Sequence, residues 1–194
     1  MRIPFPYLTF ATLLLTAGAS AQVAAAQVHS WQNEPSEFLG VPFFGDFKSQ
    51  LPECMDTTAR QPNLCWNQTP EPERYEIRGL PYIPISSGYQ LFADLKDGSI
   101  GQLTLTGNAS SLELVSDFLA DTLGKSGSSL SRRVQLSTGA SYEMKTITWQ
   151  GKRIAVHFQR NESDLSRYTV VFTPTASDLK TLETSPSVDE ESGT

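Results

Sequence analysis

Apolar and polar positions alternate most clearly between Gly88 and Phe172. Tyr89, Leu91, Ala93 and Leu95 alternate with Gln90, Phe92 and Asp94, and Ile100 to Thr106 repeats the pattern with Leu103 and Leu105. Lys96-Asp97-Gly98-Ser99 lies between them, so the two runs read as a β-hairpin closed by an Asp-Gly turn. The period then changes. Leu112, Val115, Leu119 and Leu123, widened by Phe118, recur at helical spacing, while Asp117 and Asp121 fall on the opposite side. This predicts a helix over Ser111–Leu123. Ser110-x-x-Glu113 matches a capping box, Asn108 and Ser111 are further capping candidates, and Gly124 stops the helix. Four more strands follow, over Arg132–Ser137, Met144–Trp149, Lys152–Gln159 and Tyr168–Phe172, with Gln150-Gly151 and Asn161-Glu162-Ser163-Asp164 as turns. The expected order is β-β-α-β-β-β-β. Short links make neighbouring strands antiparallel, and one helix covers one face. The expected fold is therefore α+β, a two-layer antiparallel sheet with one helix.

Residues 29–87 look different. Eight prolines, from Pro35 to Pro84, interrupt any periodicity, so this stretch reads as an irregular segment preceding the 88–173 domain. It holds both cysteines, Cys54 and Cys65, and is expected to be stapled by one disulfide between them. Its apolar residues Phe38, Leu39, Val41, Phe43, Phe44 and Phe47 are expected to add to a core that 85 residues fill only marginally.

The two ends also stand apart. Arg2, the apolar run Tyr7–Ala17 and small residues at Ala19-Ser20-Ala21 or Ala24-Ala25-Ala26 have the make-up of a cleaved secretory signal, 1–21 or 1–26. The apolar run is about half the ~20 residues a membrane span needs, so no transmembrane segment is expected. Residues 177–194 are rich in Ser, Thr and acid and poor in large apolar groups, the composition of a disordered tail. The expected location is periplasmic or secreted.

The charge balance is −6, from 15 Lys and Arg against 21 Asp and Glu. Basic residues are scattered, with Arg132-Arg133 and Lys152-Arg153 as the adjacent pairs, which argues against a nucleic-acid partner. No phosphate loop, zinc spacing, nucleophile elbow or Cys-x-x-Cys pair occurs, and no cofactor or metal is expected. Lys125-Ser126 follows its helix, whereas in a phosphate loop it would open one. His157 is a candidate general base without an identifiable partner. Asn67, Asn108 and Asn161 each begin an acceptor pattern for N-glycosylation, relevant only in a eukaryotic source.

Gly40-Val41-Pro42-Phe43, the Cys54 and Cys65 pair, Asp97-Gly98 in a hairpin, a helix ending in Leu123-Gly124 and Trp149-x-Gly151 together resemble a layout in small exported proteins of Gram-negative bacteria. The resemblance spans about Gly40 to Phe172 and implies a periplasmic location. It carries no activity over, and Lys125-Ser126-Gly127 departs from the turn such proteins place after the helix. The reading reached from the sequence is a non-catalytic exported binding or accessory protein that meets an unknown protein partner. An inhibitor of a cell-wall or periplasmic enzyme is its specific form. Phe43, Phe44 and Trp66, set among prolines beside the disulfide, are the expected contacts, with burial in the core as the competing role for the same rings. The alternative is a periplasmic hydrolase in which the fold brings carboxylates or His157 together.

Overall fold

The computed structural model describes residue 31 and residues 34–55, 61–85, 87–135 and 139–175. The expected signal segment and tail lie outside these residues. The chain forms a two-residue hairpin pair, β1 (Glu37–Phe38) and β2 (Val41–Pro42), and a one-turn helix α1 (Phe47–Gln50). Strands β3 (Cys65–Gln68), β4 (Arg74–Arg78), β5 (Gln90–Lys96) and β6 (Ser99–Asn108) follow. Helix α2 (Leu112–Leu123) leads to β7 (Ser128–Gln135), β8 (Ser141–Gln150), β9 (Ile154–Arg160) and β10 (Arg167–Pro174). Strands β3 to β10 make one antiparallel sheet of eight strands in the order β3-β4-β5-β6-β10-β9-β8-β7. The protein is thus α+β, mostly antiparallel sheet with one long helix.

The predicted hairpin is present, and its turn has the two-residue form. Asp97 (φ 52°) and Gly98 (φ 78°) both occupy the left-handed region, so Lys96 pairs directly with Ser99. A turn with both central φ values positive follows the strands' right-handed twist, which is why Asp-Gly sits there. A bulge follows at once. Asp94 pairs with Gln102 and Leu95 with Ile100, leaving Gly101 unmatched. The extra residue puts Ile100 and Leu103, three apart, on the same buried face.

Helix α2 ends at Gly124 as expected and buries Val115, Leu119 and Leu123. The capping box does not form. A 3-10 turn over Ala109–Ser111 precedes the helix, and the Asn108 side chain caps that turn by accepting from the Ser110 N–H at 2.8 Å. The strand expected at Arg132–Ser137 begins four residues earlier, at Ser128, because it pairs with β8 from Ser141 as far as Thr148.

The larger difference lies before Gly88. Residues read as irregular supply β3 and β4, which join the same sheet by pairing Ile77 with both Trp66 and Leu91. The signal was there. Tyr75 and Ile77 alternate with Arg74, Glu76 and Arg78, and the prolines stand outside the strand, where a missing N–H does no harm.

Sheet register sorts side chains into two faces. Tyr75, Ala93, Leu103, Phe172, Val156 and Trp149 form one row across six strands, and Ile77, Leu91, Leu105, Val170, Phe158 and Ile147 form the next. These rows belong to a single apolar cluster that also takes in Val115, Leu119 and Leu123 of α2 and Phe38, Val41, Phe43 and Phe47 from the first segment. Phe172, fully buried, meets Phe38 at 4.2 Å and Phe43 at 5.5 Å between ring centroids. The opposite face carries Thr104, Thr106, Thr146, Thr148, His157, Gln159 and Thr169.

Two contacts tie the first segment down at the far end. The Trp31 indole N–H donates to the Leu123 carbonyl at 2.7 Å, and the Glu34 carboxylate accepts from the N–H groups of Lys152, Arg153 and Ile154. Close approach also explains Gly107. A Cβ there would lie 2.7–2.9 Å from the ring and hydroxyl of Tyr168, the residue it pairs with. Burial pushes the Tyr168 hydroxyl up to about 12, so it stays protonated inside the cluster.

Candidate functional site

The expected disulfide joins Cys54 to Cys65 with Cα atoms 5.0 Å apart. What it holds is the outer side of β3. The segment from Pro52 to Cys54 runs beside the strand. The Cys54 N–H donates to the Trp66 carbonyl at 3.0 Å, the Trp66 N–H to the Pro52 carbonyl at 3.0 Å, and Glu53 bridges Trp66 in parallel register. Upstream, the Asp46 carboxylate caps α1 by accepting from Ser49, and the Phe47 N–H donates to the Gly98 carbonyl at 3.0 Å. The hydrogen bonds from Ser49 hold the Asp46 carboxyl below its ordinary value.

The three expected contact residues have three different environments. Phe43 is buried at 1% exposure against Phe172, so of its two roles the ring fills the core and offers no contact area. Phe44 is half-buried, with the Arg153 guanidinium 4.1 Å from its ring centre. Trp66 is half-buried at the disulfide end. Its indole N–H donates to the Leu51 carbonyl at 2.9 Å, its ring meets Tyr75 edge-on at 5.2 Å, and the Lys48 ammonium lies 5.5 Å from it. Hydrogen bonding with Tyr75 is the main influence raising the Lys48 pKa. Phe44 and Trp66 make no ring contact with each other, so the structure does not join these residues in one patch.

A second surface adjoins the disulfide corner. Cys65 pairs with Arg78, and after Arg78 the chain turns at Gly79 into the proline-rich stretch Leu80-Pro81-Tyr82-Ile83-Pro84-Ile85. An open groove of about 840 Å³ runs along it, with Gln61, Glu76, Arg78, Tyr89 and Gln90 among its lining. Ile83 and Ile85 point inward at 3% and 8% exposure, and the Tyr89 hydroxyl donates to the Pro81 carbonyl at 3.1 Å. Between these anchors Tyr82 is 88% exposed. Met55, next to Cys54, is fully exposed.

Comparison with protein-family models, curated proteins and solved structures found no match.

Tyr82 was not among the expected contact residues. What could have singled it out is the spacing: Ile83 and Ile85 alternate, two prolines bracket the pair Tyr82-Ile83, and alternation around a buried Ile83 throws Tyr82 outward. His157, the candidate general base, lies on the polar face, with Nδ1 3.2 Å from the Thr148 hydroxyl. The cross-strand row through it reads Glu76, Phe92, Thr104, Val171, His157 and Thr148. The carboxylate in that row is four strands away, about 19 Å at the usual spacing. Two nearer carboxylates are engaged. Glu162 is held by Arg132 and Gln159, and the Arg132 hydrogen bond keeps its pKa low. Asp94 faces Arg74 at 3.7 Å, and burial, opposed by that charge, raises its pKa.

Proposed function

We propose that this protein is an exported, non-catalytic binding protein that meets a partner protein through the corner built by the disulfide segment and the 79–89 loop. An inhibitor of a cell-wall or periplasmic enzyme is the specific form this reading takes. The observation that carries it is Tyr82, an almost fully exposed aromatic on a loop pinned from both sides by buried isoleucines and a hydrogen bond. Exposing so large a ring gives nothing to the fold, whereas at a protein interface tyrosine is a favoured anchor. Proline on either side and the Ile83 and Ile85 anchors limit the loop's freedom, so little entropy is lost on docking. On the disulfide segment itself, Met55 and the half-buried Trp66 offer an adaptable and a rigid apolar group. Phe43 is not part of this surface, and Phe44 with Arg153 lies outside it.

The test is capture of partners from a periplasmic extract on immobilised protein, comparing wild type with Tyr82→Ala and Met55→Ala. Both substitutions leave stability within about 0.5 kcal/mol, because both side chains are exposed. The expected result is loss of the same captured protein with Tyr82→Ala and weakened retention with Met55→Ala. A captured protein retained equally by wild type and both variants overturns the assignment of the surface. The hydrolase alternative rests on the Thr148–His157 contact. It predicts turnover of a peptidoglycan fragment that His157→Ala abolishes.

A further inference from the structure

The turn between β8 and β9 carries the adjacent basic pair Lys152-Arg153, which the surface around Tyr82 does not use. Three consecutive backbone N–H groups of this turn, those of Lys152, Arg153 and Ile154, converge on one carboxylate, that of Glu34. Successive N–H groups aimed at one point form an anion-binding concavity. Gly151 opens it, because a Cβ at that position would collide with the bound carboxylate. The concavity does not owe its shape to Glu34. The Gly151 N–H donates to the Ile154 carbonyl at 2.9 Å. Thr175 holds the other side, its N–H donating to the Arg153 carbonyl at 2.7 Å and its hydroxyl to the Lys152 carbonyl. The three donors therefore stay aimed at the same point when the carboxylate leaves. Glu34 is only half-buried, and Lys152 is exposed, with its ammonium in no ion pair among the described residues.

We propose that the 151–154 turn is a carboxylate-binding site, that Glu34 is its built-in occupant, and that an acidic segment of another protein exchanges with Glu34 there. The chemical class of the ligand follows from the group the site already holds. The need for a segment with several acids follows from competition. A tethered carboxylate acts at high effective concentration, so a single free one displaces it poorly. Further acids on the same segment find Lys152 and the Arg153 guanidinium, which lies over the Phe44 ring at 4.1 Å, and charge-assisted hydrogen bonds to these cations favour the exchange. Exchange also frees one end of the first segment. Trp31, three residues before Glu34, is held there by its indole N–H on the Leu123 carbonyl at 2.7 Å. The site shares no residue with the Tyr82 corner and stands independently of it.

The experiment uses the full chain with its disulfide intact, a hexaglutamate peptide as probe and a serine peptide of equal length as control, both with capped termini. Amide NMR at constant ionic strength follows the N–H groups of residues 152–154 and the Trp31 indole N–H. Hexaglutamate should shift these signals saturably in the wild type, and the serine peptide should leave them in place. Glu34→Ala should bind hexaglutamate about tenfold or more tightly, since no internal occupant competes. Lys152→Glu should weaken binding in both backgrounds. If Glu34→Ala is too unstable to assign, Glu34→Gln keeps the shape without the charge and carries the same expectation. Amides of 152–154 that hexaglutamate leaves unmoved in these variants overturn the site. Equal affinity in wild type and variant overturns Glu34 as the occupant, and a response confined to the variants overturns the exchange. An equal response to the serine peptide overturns the carboxylate as the ligand.

Discussion

Replacing both cysteines, Cys54→Ser with Cys65→Ser, tests how far the disulfide governs this end of the molecule. The bond closes a loop with a sequence separation of 11. In the chain-entropy treatment such a loop contributes about 3 kcal/mol by restricting the unfolded chain. The native state is affected too. Cys54 and Cys65 are buried at 8% and 5% exposure, and the backbone bonds from Cys54 and to Pro52 are what cover the β3 edge. With the staple gone those two bonds compete with water, so the edge opens part of the time. For a chain of this size a loss of about 3 kcal/mol lowers the melting temperature by about 6–12 °C. Urea unfolding of wild type and double variant, each with and without reductant, gives the energy. Reductant should move the wild type towards the variant and leave the variant unchanged. A loss below about 1 kcal/mol, or free thiols in the exported wild type, would refute the reasoning.

Other perturbations probe separate parts of the structure. Gly107→Ala places a methyl group against the buried Tyr168 ring and should cost about 1–3 kcal/mol in a urea titration, a typical overpacking penalty. Phe43→Ala removes a ring packed on Phe172 and should cost about 3–5 kcal/mol, whereas a near-neutral result would mean the ring is not core. Glu34→Ala frees three N–H groups on the 151–154 turn and should loosen the first segment, seen as a red shift of Trp31 emission and a loss of about 1–2 kcal/mol. For Asp94, burial raises the folded pKa above 3.8, so the native state takes up its proton before the unfolded chain does. Its ionised form therefore opposes folding at neutral pH, and this opposition fades as pH falls through the raised value towards 3.8. Asp94→Asn should leave stability at neutral pH unchanged or higher and remove that part of the acid-side rise, as measured by melting temperature against pH.

Local order was written in the sequence. The Asp97-Gly98 turn, the helix that Gly124 stops, the disulfide between Cys54 and Cys65 and the inward set Leu91, Ala93, Leu103, Leu105, Val170 and Phe172 all follow from period, turn chemistry and compartment, because each depends on residues close together along the chain. The strand pattern of Tyr75 and Ile77 was also present, hidden by prolines that flank the strand without interrupting it. Tertiary structure alone decided the rest. That β6 lies beside β10, making the last strand of the described residues central, is fixed by which apolar rows match across about sixty residues, and no local signal encodes it. The same holds for the roles of neighbouring aromatics. Phe43 and Phe44 are adjacent and chemically identical, yet one is sealed against Phe172 and the other lies under Arg153, since the chain bends there after β2 and the two side chains leave it in different directions. Tyr82 is exposed because Ile83 and Ile85 fill the space beside it. Only the packed sheet shows that the disulfide segment lies along the outer side of β3, bonded to Trp66.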